Sequence, residues 1–381
     1  MDITVETMWI SATYICPVRG LAGLDPPDPV NLGRTAGIAG SLGLERLVIP
    51  ILEESLLRAD RHKMRFLDAL IRVLDHADDV GMKIWLMAAA QRLLGVDWVA
   101  PYLVKGSLEP AAAAVFVDGA MRTLRPFMWW AEPSIIRKRL ESFRELVAAI
   151  SGHPALSGWI IMDRVLEWPR PAFQTADLIL KSYCAEIRDR DETGEIWLSL
   201  GVSELLDPKM VQLLAGQVDG LYMRGIENGL GGFKACLDLA EEITRSAYFY
   251  SMAHWLFETQ VSLELGWSRM TNPGFREEML ASVSILRRQE VPGVTWLNLI
   301  DPQNRIVSEP PWNLRPGLEK IGLLDPGGDP KEGVDTLMGA FRSSPQKNRV
   351  IDFIDIDQKE YMDDPQTHLS RLWGHFREST A

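Results

Sequence analysis

The chain reads as an α/β protein whose strand–helix units close into a (β/α)8 TIM barrel, and three observations carry that expectation. Short apolar runs alternate with longer amphipathic runs along the sequence, the pattern of βαβ units built on a parallel sheet. The strand-like runs number eight, the count that closes such a barrel. The 381 residues are 46% hydrophobic, enough for one large core, and single barrels of this length are common.

The first strand is Met8 to Cys16, closed by Pro17 and followed by a Gly/Pro/Asp-rich loop from Gly20 to Pro29. A helix over Asn31 to Leu42 leads to the second strand, Leu44 to Pro50. Arg61 to Val80 has apolar residues at Met64, Leu67, Leu70, Ile71 and Leu74, a helical period, and stops at Gly81. Lys83 to Met87 is the third strand. The segment after it, 88–134, is too long for a structureless loop in a compact domain, so it predicts extra helices and a functional insertion. The helix Ile135 to Ile150 delivers the chain to the fourth strand, Gly158 to Met162.

Asp177 to Arg190 is the next helix, Glu195 to Leu200 the fifth strand, Pro208 to Leu214 helical, and Val218 to Met223 the sixth strand. The glycine-rich stretch Gly225 to Gly232 lacks both the Lys-Ser/Thr of a phosphate loop and the spacing of a dinucleotide fingerprint, which makes it a turn before a helix over Phe233 to Thr244. Ala247 to Tyr250, rich in aromatics, reads as the seventh strand, with Ser251 to Asn272 as its loop. Phe275 to Gln289 is helical and Gly293 to Leu299 is the eighth strand. A helix over Val334 to Phe341 ends the barrel domain, residues 1–345. Residues 346–381 form a C-terminal extension with a helix from Pro365 to Phe376, packing on the barrel or on a second subunit of a homo-oligomer.

Composition narrows the function classes. The net charge of -12 disfavours nucleic acid, whose phosphates need clustered Lys and Arg. No apolar run approaches the ~18 residues of a membrane helix, so no membrane partner is expected. The N-terminus carries an acid at Asp2 and no basic region ahead of an apolar core, which implies a cytoplasmic protein. Cys16, Cys184 and Cys236 are widely spaced without a CxxC, as reduced buried thiols would be. No HExxH or paired-His spacing suggests a metal, and no cofactor is expected. Thirteen tryptophans are many for this length; Trp129, Trp130, Trp168, Trp255, Trp267 and Trp312 sit beside polar loop residues, where an indole is either a platform for a sugar ring or a large core filler.

The fourth strand locates the candidate site. His153 to Pro171 reads HPALSGWIIMDRVLEWPRP: a helix stops at Gly152, Pro154 follows, and a buried strand runs into the charged pair Asp163-Arg164. In a parallel barrel that edge between strand and loop is where catalytic residues stand. Other residues at strand ends are Arg19, Glu53, Gln91, Glu204, Arg224, His254, Asn298 and Asp301.

Together with VPGVTWLNLID and GLLDPGGDPKEG at strand eight, this stretch resembles the clan A glycoside hydrolases, and among them the cellulase-type family 5 barrels, whose fourth strand reads approximately HPxIxGWELxNE. The resemblance covers Met8 to Phe341. It implies a retaining glycosidase with an acid at the end of strand four, a nucleophilic carboxylate at the end of strand seven, and ~5 Å between them. Aligning Gly158-Trp159 with the family's Gly-Trp puts Asp163 at the Asn position and Arg164 at the acid position, and a guanidinium cannot cycle a proton there. With Ala247 to Tyr250 as strand seven the nucleophile position falls at Ser251; a shifted register, Trp255-Leu256-Phe257, brings Glu258 to it instead, and the first register is preferred.

Two readings stay open. In one, the acids have migrated: Glu167 and Glu258 are the catalytic pair, Asp163 assists, and Arg164 selects an anionic sugar. In the other, the barrel binds a carbohydrate or serves as a scaffold without catalysis. Arg19, Trp129, Trp130, Ser251, His254, Trp296 and Asp301 are the further substrate-binding candidates. A third class, a sugar isomerase or epimerase-like barrel, needs a metal held by several acids and histidines at strand ends, where this chain is short of histidine.

Overall fold

A computed structural model describes residues 8–20, 23–57, 60–93, 96–98, 100, 104–105, 113–117, 120–126, 129–163, 171–201, 203–224, 239–265, 275–289, 291–309, 312–314, 317–343 and 353–380. Eight parallel strands close a barrel: β1 (Trp9–Thr13), β2 (Arg46–Leu52), β3 (Lys83–Ala90), β4 (Leu156–Ile161), β5 (Glu195–Leu200), β6 (Gly220–Met223), β7 (Val261–Leu265) and β8 (Gly293–Trp296). Each pairs with its sequence neighbour, and β8 closes on β1 with Trp9 opposite Gly293. Strands one to six and eight overlap the runs that the hydrophobic pattern marks.

The seventh strand is the correction. Ala247 to Tyr250 lie inside the helix Leu239–Phe257, and β7 is the later run Val261–Leu265. The physical reason is a second covering layer. Tyr248 is fully buried, its ring lies 5.3 Å from Trp373 and 5.5 Å from Phe376, and its hydroxyl donates to the Leu369 carbonyl at 2.5 Å. A helix buried on both sides shows no polar stripe, so its aromatic run imitates a strand. The layer that covers it is the C-terminal extension, whose helices Gln358–Asp363 and Pro365–Thr380 pack on this chain's own barrel; Tyr361 also donates to the Leu205 carbonyl at 2.8 Å.

Among its described residues the insertion after β3 holds a small sheet, in the order Arg92–Leu93, Val96–Trp98, Ala113–Val117, Ala120–Pro126, Val104–Lys105, and then a 3-10 turn, Trp129–Ala131. Val117 pairs with Ala120 across an antiparallel ladder, and the two residues between them in sequence are Asp118-Gly119, a pair favoured in two-residue hairpins.

The N-terminal end of the barrel is plugged by tryptophan. Trp9, Trp85 and Trp197, from β1, β3 and β5, meet with ring centroids 4.9, 5.2 and 6.3 Å apart. Each stands in register beside a glycine of an adjacent strand, Gly293, Gly158 and Gly220 respectively, because any Cβ there would collide with the indole. The Arg46 guanidinium lies 4.7 Å from the Trp9 ring and 4.9 Å from the Trp85 ring. Such cation–π contacts strengthen away from water.

Further along β1, β5, β6, β7 and β8, on the same inward face, the barrel turns polar. Ser11, Thr13, Ser199, Tyr222, Ser262, Glu264 and Thr295 are all buried. Ser11 and Thr295 share a 2.7 Å hydrogen bond between hydroxyls. Burial and the nearby Glu264 carboxylate push the Tyr222 phenol well above its ordinary pKa.

Candidate functional site

The polar interior ends, at the C-terminal mouth of the strands, in three charged side chains. β4 stops at Ile161; Met162 adopts φ +58°, a left-handed conformation rare for a side chain without polar groups, and this bend accompanies a wholly buried Asp163. Glu264 stands near the end of β7, 1% exposed. Arg224 follows the last residue of β6 and is 5% exposed.

Arg224 joins the two acids. Its Nε donates to Glu264 Oε2 at 2.8 Å and its Nη1 to Asp163 Oδ1 at 3.0 Å. Nη1 also lies 2.8 Å from the Met87 sulfur. Asp163 further accepts from the Ser199 hydroxyl at 3.1 Å and from the Gln91 backbone N–H at 2.8 Å, while Thr13 donates to Glu264 at 3.5 Å. A buried charge is tolerated when it is paired and hydrogen-bonded in this way.

A second buried pair backs the first. Glu53, directly after β2, is ion-paired with Arg139, and Gln91 Nε2 lies 3.5 Å from its carboxylate. Burial raises the Glu53 pKa, and the Arg139 guanidinium opposes the shift. Arg139 also sits over the Trp129 ring, 3.5 Å from its centroid. Glu53, Gln91 and Asp163 thus form one continuous chain of polar contacts along the mouth.

The sequence candidates divide. Asp163 and Arg224 are brought together, and Gln91 and Glu53 stand beside them. Glu264, which the sequence reading missed, completes the centre. The pattern Ser262-Leu263-Glu264-Leu265-Gly266 was the available signal, a small polar residue, a Glu and a Gly at the end of an apolar run. Ser251, His254 and Glu258 are corrected to the helix that precedes β7 and to its end, at the N-terminal side of the barrel. Ser251 donates to the Ala247 carbonyl, and His254 Nδ1 pairs with the Thr259 carbonyl at 2.9 Å. Glu258 is exposed and accepts from Gln358 at 3.0 Å. They are there because the helix runs antiparallel to the strands and returns the chain to the barrel floor.

Of the aromatic candidates, Trp129 is 4% exposed with one face covered by Arg139, and Trp130 is half-buried against the core. Neither is an open platform. Trp296 is 3% exposed and donates its indole N–H to the Ile321 carbonyl at 2.6 Å. Asp301 is held by Lys331 at 2.5 Å and by the Gly322 N–H at 2.8 Å, a loop anchor in which burial raises the acid's pKa and lowers the amine's. Arg19 is exposed on the loop after β1. Arg164, Glu167, Trp168 and Trp267 lie outside the described residues. Among the described residues no group of three or more His, Cys, Asp and Glu side chains is placed to hold a metal ion, and no helix is long and apolar enough to cross a membrane.

Comparison with solved structures identifies the architecture. The GH5_18 protein from Streptomyces cattleya, solved in complex with GlcNAc, superposes with a TM-score of 0.70 at 15% identity, covering 90% of this chain and 82% of that one. The chain has a family 5-like glycosidase barrel fold. A GH5_18 protein from Bifidobacterium longum subsp. infantis gives the same TM-score and identity, with 90% and 80% coverage. The exo-beta-1,4-mannosidase Op5Man5 from Opitutaceae bacterium strain TAV5 follows at 0.66 and 14%, covering 88% of this chain and 59% of its own. No family model matches the sequence, and no curated protein matches it.

Proposed function

We propose that this glycosidase-like barrel binds a carbohydrate at the C-terminal mouth, around Asp163, Arg224 and Glu264, without cleaving it by the usual pair of carboxyls. The observation that carries the reading is the single guanidinium hydrogen-bonded to both acids. Retaining hydrolysis needs one carboxyl that gives up a proton and a second that is free to attack. Here each hydrogen bond named above for Asp163 and Glu264 comes from a donor, so neither buried acid is placed to give a proton to a leaving group. What the three groups offer a sugar is a rigid set of acceptors and N–H donors, suited to hydroxyl groups.

The ligand class is supported by the neighbours, three of which were solved with GlcNAc or Manb1-4GlcNAc. Within this reading Arg164 adds a preference for an anionic sugar, checked by comparing uronate-terminated and neutral glycans on the wild type and on Arg164→Ala. The direct test is a glycan-binding screen run beside a panel of aryl glycosides. We expect retention of at least one glycan and no release of the aryl alcohol. Release that disappears in Glu264→Gln overturns the non-hydrolytic reading.

That outcome defines the second reading, a divergent hydrolase with Glu264 as nucleophile and Glu167 as its acid. It is favoured by one observation: Glu264 is a buried carboxylate near the end of the seventh strand, where the family resemblance asks for the nucleophile.

A further inference from the structure

Two adjacent strands of the barrel end in the same unusual backbone. Among the described residues three that are not glycine adopt a positive φ, and two of them stand at the mouth: Ala89 at +53° in β3 and Met162 at +58° directly after β4. Met87 of β3 and Ile160 of β4 are register partners, so Ala89 and Met162 each lie two residues beyond the same pair. The bend at Ala89 coincides with a shift in how β3 pairs on its other side. Pro50 of β2 faces Met87 and Leu52 faces Ala90, which leaves β3 one residue longer than β2 over this stretch, a bulge. A bulge re-aims the residues that follow it, and bulges gather beside functional sites.

Both bends lead to the backbone around Asp163. Met162 immediately precedes that residue. Past Ala89, the Gln91 N–H donates to Asp163 Oδ2 at 2.8 Å, and the Gln91 carbonyl accepts from the Trp98 N–H of the insertion sheet at 2.7 Å. A side chain in the left-handed region brings its Cβ against a carbonyl oxygen, and such strain persists only where the surroundings hold it. A chain that merely had to leave the barrel could turn on glycine, which takes a positive φ without that contact. Alanine at this position keeps the strain and leaves the bend fewer alternative conformations.

We propose that Ala89 is a positioning residue of the carbohydrate site: its left-handed bend aims the Gln91 N–H at Asp163 and so fixes that carboxylate for the ligand. The inference rests on the carbohydrate-binding reading above and adds to it a residue that acts only through others. It also gives the insertion a role, since the Trp98 N–H holds the far side of the same Gln91 backbone. Glycine in place of Ala89 relieves the strain but frees the bend, so stability and binding are expected to move in different directions.

The test uses the full chain as wild type, Ala89→Gly, Ala88→Gly and Asp163→Asn, with circular dichroism to check that each is folded. Three quantities are read: the urea midpoint, hydrogen exchange of the Gln91 amide, and affinity for mannose, glucose and their β-1,4-linked tetramers by titration calorimetry. Ala89 is half-buried, so Ala89→Gly opens no core cavity. It is expected to keep or raise the midpoint, to speed Gln91 exchange about tenfold, and to lose about fivefold in affinity. Ala88→Gly, in the same strand but without the bend, should lower the midpoint and leave affinity within about twofold of wild type. Ala89→Gly that binds sugar and exchanges the Gln91 amide as the wild type does, while Asp163→Asn binds more weakly, overturns the positioning role and leaves the carbohydrate reading standing. A midpoint that falls in Ala89→Gly as far as in Ala88→Gly, with affinity unchanged, overturns it as well, because that is the behaviour of an ordinary strand residue. Wild type that binds none of the four sugars overturns the proposal together with the reading it rests on.

Discussion

The two ends of this barrel are built from different materials. At the N-terminal end, three indoles and three glycines interlock, and Arg46 lies against two of the rings. At the C-terminal end, two carboxylates close on one guanidinium. The lower end is a stability device, since large buried aromatics repay their ordering through apolar area. The upper end costs desolvation of three charged groups and yields at best a modest net stabilisation, so its composition is better explained by a ligand than by folding. Of the two ends, the one that is expensive to build is the one that faces the mouth where barrel enzymes work.

The sharpest way to break the comparison is Arg224→Ala. Two buried acids lose their shared guanidinium, and stability should fall by about 3–5 kcal/mol in urea unfolding at pH 7. A cost below about 1 kcal/mol would mean that the triad is not held as a buried unit.

At the other end, Gly158→Ala places a Cβ 2.6 Å from the Trp85 indole nitrogen, and Gly220→Ala places one 2.5 Å from the Trp197 ring. Overpacking of this kind costs about 1–3 kcal/mol. The same urea series measures it, and sugar binding by the variants that remain folded should be unchanged. A milder probe of the floor is Trp197→Phe, expected to cost about 1–2 kcal/mol through lost indole contacts, again with no effect on ligand.

An effect confined to alkaline pH, and so absent under the neutral conditions of the others, lies away from both ends. Burial raises the Cys184 thiol from its ordinary value to about 11. The folded pKa exceeds the unfolded one, so this contribution is fully present below the unfolded pKa and is lost as pH rises through the folded value. Stability should therefore decline between about pH 9 and about pH 11, and Cys184→Ala should flatten that decline. Thermal unfolding across this window checks it; a slope identical in both proteins contradicts the assignment to Cys184.

How much of this was legible in the sequence also differs between the ends. The strands themselves were, because buried parallel strands announce themselves as apolar runs. Strand seven was not, since Ala247 to Tyr250 are as apolar as a strand and the covering by Phe353, Trp373 and Phe376 is a tertiary fact. The error propagated into the site: with the strand misplaced, Ser251, His254 and Glu258 moved to the wrong end and Glu264 was overlooked. A charged residue inside a strand lowers its apolar signal, so the carboxylate that Glu264 brings to the mouth also hid its strand. Asp163 and Arg224 were found because each directly follows a strand that was read correctly. Their partnership was not, because a contact across 61 residues leaves no local pattern.

The central claim is that carbohydrate binds at the charged end and not through the molecule at large. Titration calorimetry of the oligosaccharide best retained by the wild type, run on Glu264→Gln and on Trp197→Phe, tests it most directly. The account predicts a loss of about tenfold or more for Glu264→Gln and affinity within about twofold of wild type for Trp197→Phe. Equal affinities for Glu264→Gln and wild type, with both proteins folded, would contradict it.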